Sequence, residues 1–192
     1  NLAIDGNFDD CQKLVKLIQP RTGPISINYQ INPGRIPADH WSQNLQDGGG
    51  RIIGEGCHFI DLCNYIVGSN AIDVKHSFMR TTDSRLKYDD SVGILLSYPD
   101  GSMAIVSYLS NGDKGLSKER LEVFSSNGII KIDDFKNLKI IKNRKIREIK
   151  LRKSDKGQES MLKNYFLSLF KGQVLINFED LYNVTDLTIK IR

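Results

Sequence analysis

The chain has little cysteine, tryptophan, histidine or proline: 192 residues include three cysteines, one tryptophan, three histidines and five prolines. Cys11, Cys57 and Cys63 are odd in number, which argues against a disulfide framework. None of them forms a CxxC pair, so a structural zinc site is not expected. A reducing cytoplasm is the expected setting. No apolar run approaches the ~20 residues of a membrane span, and no basic start followed by an apolar core marks a signal peptide. Neither G-x-G-x-x-G nor G-x-x-x-x-G-K-[ST] occurs, so a nucleotide-binding βαβ half is missing.

What is present is ordinary for a folded domain: 40% hydrophobic and 26% charged residues. A chain of this length buries about 70% of its unfolded surface and needs no covalent or metal staple. No repeat or composition shift divides it, so residues 1–192 read as a single domain. The net charge of +4 is concentrated in Lys136–Lys153. A nucleic-acid patch is one reading of that stretch. The favoured reading is a hairpin with a solvated Lys/Arg face, because Ile140, Ile141, Ile146, Ile149 and Leu151 interleave with the charges and no aromatic platform follows Phe135. No nucleic-acid or membrane partner is expected.

Helical spacing over Phe8–Ile18 is stopped by Pro20 and Gly23-Pro24. Ile25, Ile27, Tyr29 and Ile31 then alternate with polar residues as a half-buried strand. A long loop over 33–50 carries Asp39, His40 and Trp41 and closes on Gly48-Gly49-Gly50. A helix is predicted from about Arg51 to Val67, ended by Gly68. Strands follow at Ile72–Arg80, Ser91–Tyr98, Ser102–Leu109, Leu121–Ser125, Ile129–Asp133, Leu138–Lys142 and Lys145–Leu151, with turns at Pro99-Asp100-Gly101, Asn127-Gly128 and Asn143-Arg144. Helices at Glu159–Phe170 and about Phe178–Ile189 finish the chain. This order predicts an α+β fold: a large, mostly antiparallel open sheet of about eight strands with helices on one face.

The stretch Gly48–Gly68, GGGRIIGEGCHFIDLCNYIVG, is the most informative. At 100° per residue, Ile52, Phe59, Leu62, Cys63, Ile66 and Val67 share one arc, with Ile53 and Ile60 at its edge, and this arc should face the sheet. Glu55, His58 and Asp61, spaced three apart, form a polar strip at its boundary. The glycines allow a tight turn and a close approach. A histidine, with an unperturbed pKa of about 6.5, suits acid/base work near neutrality. Glu55 or Asp61 could orient the ring of His58; the alternative is a helix histidine bonded to a neighbour. An E-x-x-H metal site would need a second such motif, which the chain lacks.

This stretch resembles the signature of the glucose–fructose oxidoreductase/inositol dehydrogenase (Gfo/Idh/MocA) family, and more narrowly a sugar-dehydrogenase-like branch reading G-G-G-R-I-I-G-E-x-C-H-F-I-D. Flanking segments agree: Gly23-Pro24, Asn32-Pro33-Gly34 through Pro37-Ala38-Asp39-His40-Trp41, Tyr108 through Asn111-Gly112-Asp113-Lys114, and Lys118-Glu119-Arg120-Leu121-Glu122-Val123-Phe124. The resemblance implies the C-terminal, substrate-binding and oligomerising domain of a two-domain enzyme, of the dihydrodipicolinate-reductase type. The N-terminal Rossmann domain of the same polypeptide, which binds NAD or NADP and carries a catalytic Glu-Lys-Pro lysine, would be absent from this chain. No cofactor is therefore expected in this chain, and no catalysis from it alone.

The resemblance further implies that His58 is the acid/base acting on a substrate hydroxyl. The Asp that many members carry four residues before the histidine is Gly54 here, and the acid stands one place on, at Glu55. Glu55 is the candidate second catalytic carboxylate, although in an α-helix one place is about 100°, which sets it off that Asp's direction. Asp61 matches the usual H-x-x-D, in a structural or orienting role. Asp39, His40 and Trp41 would form a sugar-contacting loop, with a core anchor as the alternative for Trp41. Asn111 and Lys114 would contact substrate or merely form a turn. Arg51 would meet a carboxylate or phosphate, or solvate the helix start. The implied function is that of a substrate domain in an NAD(P)-dependent oxidoreductase acting on a sugar or polyol. The rival is a non-catalytic dimerisation or scaffold domain, and either would self-associate through the uncovered sheet face.

Overall fold

A computed structural model describes residues 21–37, 40–41, 46, 49–79, 91–150, 158–172, 174 and 176–191. The helix predicted over Phe8–Ile18, and Asp39 in the long loop, lie outside the described residues.

The alternation read in the sequence builds eight strands: β1 (Ser26–Ile31), β2 (Asp73–Phe78), β3 (Val92–Ser97), β4 (Met103–Tyr108), β5 (Glu119–Ser125), β6 (Gly128–Asp133), β7 (Asn137–Lys142) and β8 (Lys145–Lys150). They form one open sheet in the order β2-β3-β4-β1-β5-β6-β7-β8. Among the described strands only β1 and β4 run parallel, with Ile31 level with Tyr108; the other neighbours are antiparallel. The fold is α+β, as expected. The predicted strand ends extend one or two residues past several of the observed ones.

Period-2 patterning decides which side is covered. Ile27, Tyr29 and Ile31 of β1, Ile94 and Leu96 of β3, Val106 and Tyr108 of β4, and Leu121 and Val123 of β5 are buried together. A fully buried aliphatic side chain contributes about 1.5–3 kcal/mol, so this row is where the stability of the sheet is concentrated. The opposite face shows Asn28, Met103 and Ile105 outward.

The helix predicted over 51–67 is two different structures. Ile52–Gly56 forms one π-helical turn, and α1 runs over Cys57–Val67. Gly49 (φ 69°) and Gly50 (φ 85°) enter the turn in the left-handed region, and Gly68 (φ 80°) closes α1 in the same conformation. The inward arc is as predicted, except that Ile60 is fully buried rather than marginal. Asn64 is buried as well: its amide donates to Asn183 (3.1 Å) and Asn70 (3.3 Å), and its carbonyl accepts from the Ala71 N–H (3.3 Å). Two further helices are α2 (Gln158–Lys171) and α3 (Phe178–Ile191). Asn183 of α3 thus ties α3 to α1, and Val184, Leu187 and Ile191 bury the inner side of α3.

The basic stretch folds as the β7–β8 hairpin, turning at Asn143 (φ 51°) and Arg144 (φ 61°). Every residue of β8 is exposed, and Lys139 and Lys150 flank Glu148 at 3.5 and 3.7 Å. Among the described residues, no helix is long and apolar enough to cross a membrane.

Candidate active site

The parallel pairing of β1 and β4 brings two C-terminal strand ends side by side. Ligand-binding crevices in sheets with parallel strands lie outside such ends. At this end Asn32 leaves β1, and its N–H donates to the Lys118 carbonyl (2.7 Å). Its side-chain amide donates to the carbonyls of Asp113 (2.7 Å) and Leu116 (3.3 Å). The loop from Leu109 to Lys118 is therefore clipped onto the end of β1. A Cβ on Gly112 would lie 2.0 Å from Asn32 Oδ1, so glycine is needed for that approach.

The π-helical turn faces this end. A turn closing i→i+5 points its side chains differently from an α-helix, and such turns often occur at functional sites. Glu55 leaves it toward the sheet. Its Oε2 accepts from the Tyr108 hydroxyl (2.5 Å) and from Arg51 (3.2 Å), and its Oε1 accepts from Lys118 Nζ (2.6 Å). The Arg51 guanidinium also lies over the Tyr108 ring, 5.3 Å from its centroid. Burial by itself would raise the Glu55 carboxyl. The Lys118 ammonium, the Tyr108 hydroxyl and Arg51 outweigh it and hold the group below its ordinary value. Burial, then the Glu55 bond and charge, push the Tyr108 phenol upward, so Tyr108 remains a donor.

Arg51 does not solvate the helix start: it is 5% exposed and is paired within the protein. Nor is Trp41 a core anchor, because it is 66% exposed, with its ring 5.8 Å from that of His40. His58 and Asp61 are half-buried on α1, one and two turns beyond Glu55. Burial raises the thiols of Cys57 and Cys63, and the nearby Asp61 charge adds to this. Both cysteines thus stay protonated. Asn111 accepts from Ser91 (3.4 Å) and donates to the Met79 sulfur (3.7 Å), while Lys114 crosses over Gly34. Neither joins the Glu55 cluster.

Sequence reading singled out Glu55 and Arg51 but not Tyr108 and Lys118 as their partners. Those lie 53 and 63 positions further along, beyond the reach of spacing arguments. One signal was available: Glu119 occupies an inward position of β5, in step with Leu121 and Val123. It is buried and accepts a hydrogen bond from the Tyr29 hydroxyl. A carboxylate in an apolar row marks a polar region on that side of the sheet. Among the described residues, no three His, Cys, Asp or Glu side chains are grouped so as to hold a metal ion.

Among the described residues, an open, mostly antiparallel sheet with helices packed on one face, and a charged cluster at its parallel β1/β4 junction, defines an α+β architecture. The chain belongs to the GFO/IDH/MocA C-terminal domain family, whose model matches residues 22–131, more than half of its length.

Solved structures share the fold. UDP-N-acetylglucosamine 3-dehydrogenase from Acidithiobacillus ferrooxidans aligns with a TM-score of 0.75 at 13% identity, covering 100% of this chain and 58% of that one. Aldose-aldose oxidoreductase from Caulobacter crescentus, complexed with glycerol, aligns at 0.74 and 17% identity over 94% of this chain and 56% of that one. Levoglucosan dehydrogenase, in complex with NADH and levoglucosan, aligns at 0.75 and 16% identity over 98% and 62%. The chain thus spans less than two thirds of the length of these relatives. A comparison with curated proteins returned no match.

Proposed function

We propose that this chain is the substrate-binding domain of an NAD(P)-dependent oxidoreductase acting on a sugar or polyol hydroxyl. The carrying observation is the polar assembly at the β1/β4 end, set beside the helix that presents His58. Family membership and neighbours named for sugar substrates support this reading. So does the narrower sugar-dehydrogenase-like motif at 48–61.

The described strands contain one parallel pair and no βαβαβ unit, so these residues do not fit a dinucleotide. NAD or NADP would bind to a Rossmann domain of the same polypeptide, and the nicotinamide would supply the hydride chemistry. In this division of labour the chain holds the substrate and handles a proton. His58 takes or returns the proton of the reacting hydroxyl, and Asp61 orients it. Glu55 and the exposed His40-Trp41 pair contact the substrate, with the buried Arg51 holding Glu55 from behind. Asn111 and Lys114, on the neighbouring loop, would border it.

The test is His58→Ala in the full-length protein. Removing a general acid/base lowers kcat by about 10²–10⁴-fold. The oligomer should stay intact. Unchanged turnover would make His58 structural and favour the dimerisation or scaffold role.

A further inference from the structure

We infer that Lys118 and Glu55 together form a specificity site for two adjacent hydroxyl groups of a polyol. The inference rests on reading this end of the sheet as the substrate site. It adds Lys118 as a residue that selects the substrate, and it gives Glu55 a recognition role rather than a share in proton transfer.

The argument is one of hydrogen-bonding capacity. A carboxylate can accept about four hydrogen bonds and an ammonium group can donate three. Glu55 Oε2 is filled by Tyr108 and Arg51. Glu55 Oε1 accepts from Lys118 alone, and among the described residues the Lys118 ammonium donates only to Glu55. One acceptor site and two donors therefore remain on adjacent charged groups, and both are open to solvent: the Glu55 side chain is 27% exposed and that of Lys118 41%. An acceptor beside a donor matches a vicinal diol, in which one hydroxyl donates to the carboxylate and the next accepts from the ammonium.

The pair also differs from an ordinary surface ion pair, which is mobile and contributes little. Its inner side is anchored by the buried Arg51 and Tyr108 and by the loop clipped at Asn32. The two outward groups are thus held in place before any ligand arrives, which lowers the ordering cost of binding. Arg51 NH1 is buried and has no hydrogen-bond partner among the described residues, so the cluster also carries polar capacity that the protein leaves unused. Lys118, Tyr108 and Arg51 together hold Glu55 ionised, so its Oε1 stays an acceptor.

The experiment is a titration of the full-length protein with myo-inositol, followed by calorimetry or saturation-transfer NMR. Saturable inositol binding is expected. Glu55→Gln and Lys118→Met should each weaken it about tenfold or more, the cost of a charge-assisted hydrogen bond. Lys118→Arg, which keeps the donors, should recover much of the affinity. No saturable inositol binding, or inositol affinity unchanged in both loss variants, would overturn the inference. If inositol binding follows the variants while His58→Ala leaves turnover intact, the diol site stands and the acid/base assignment falls. The reverse pattern removes only the diol site.

Discussion

At the residue scale, Glu55 is the most constrained side chain of the site. Its folded pKa lies below the ordinary 4.5 because Lys118, Tyr108 and Arg51 together outweigh the opposing effect of burial. Ionisation of Glu55 therefore adds stability that is fully present above pH 4.5 and is lost as pH falls through the lower folded value. Acid unfolding of the native protein and of Glu55→Gln should differ accordingly. The native protein should lose more stability than the variant as pH drops from 5 to about 3, and the two denaturant midpoints should draw together. Curves that stay parallel over that window would show that Glu55 is not held by its neighbours. Lys118 and Tyr108 could not be paired with Glu55 from spacing alone, since the contact runs between a helix, a strand end and a loop. Arg51 was legible as a charged residue at a helix start. Its burial was not, because burial depends on the strand that closes over it.

At the element scale, the π-helical turn decides what the glycine-rich entry is for. Gly49 has φ 69°, and a Cβ there would come 2.9 Å from Ile53 Cγ2. Gly49→Ala should therefore cost about 1–2 kcal/mol for the left-handed backbone alone, with the contact adding to it. Thermal unfolding would register the loss, and the same variant should weaken any ligand held by the Glu55 cluster, since the turn sets its direction. A neutral Tm would mean that the entry relaxes freely. The predicted angular offset of Glu55 presumed a regular α-helix. The wider turn breaks that premise, and Glu55 reaches the Tyr108 hydroxyl of β4. Periodicity cannot signal such a turn, because the same apolar arc continues on both sides of it.

At the scale of the whole molecule, the described residues cover one face of the sheet and leave the other open. The helices α1 and α3, joined through Asn64 and Asn183, accompany the buried side. On the open side Ile105 is level with Leu95 on β3 and Asn28 on β1, near the centre of the sheet, and it is exposed together with Met103. Self-association through this face is the proposal that accounts for that pattern. Ile105→Lys changes a side chain outside the buried core. It should shift the protein to a smaller species in sedimentation or light scattering while leaving the circular dichroism unchanged. An unaltered mass would place the contact elsewhere. On α2 and α3, Phe166, Phe170, Phe178 and Tyr182 also stand outward.

The sequence by itself determined the fold class, the strand order along the chain and the inward faces. These follow from local periodicity and turn chemistry, which act within a few residues. The family resemblance was likewise legible at 48–61, since that motif is contiguous. Tertiary structure alone decided that β1 lies parallel to β4, that Arg51 is buried, that Trp41 is exposed and that Lys118 meets Glu55. Each of these depends on which distant segments share a strand end. Spacing along the chain cannot specify that, because it arises from how the buried faces of all the elements are satisfied together.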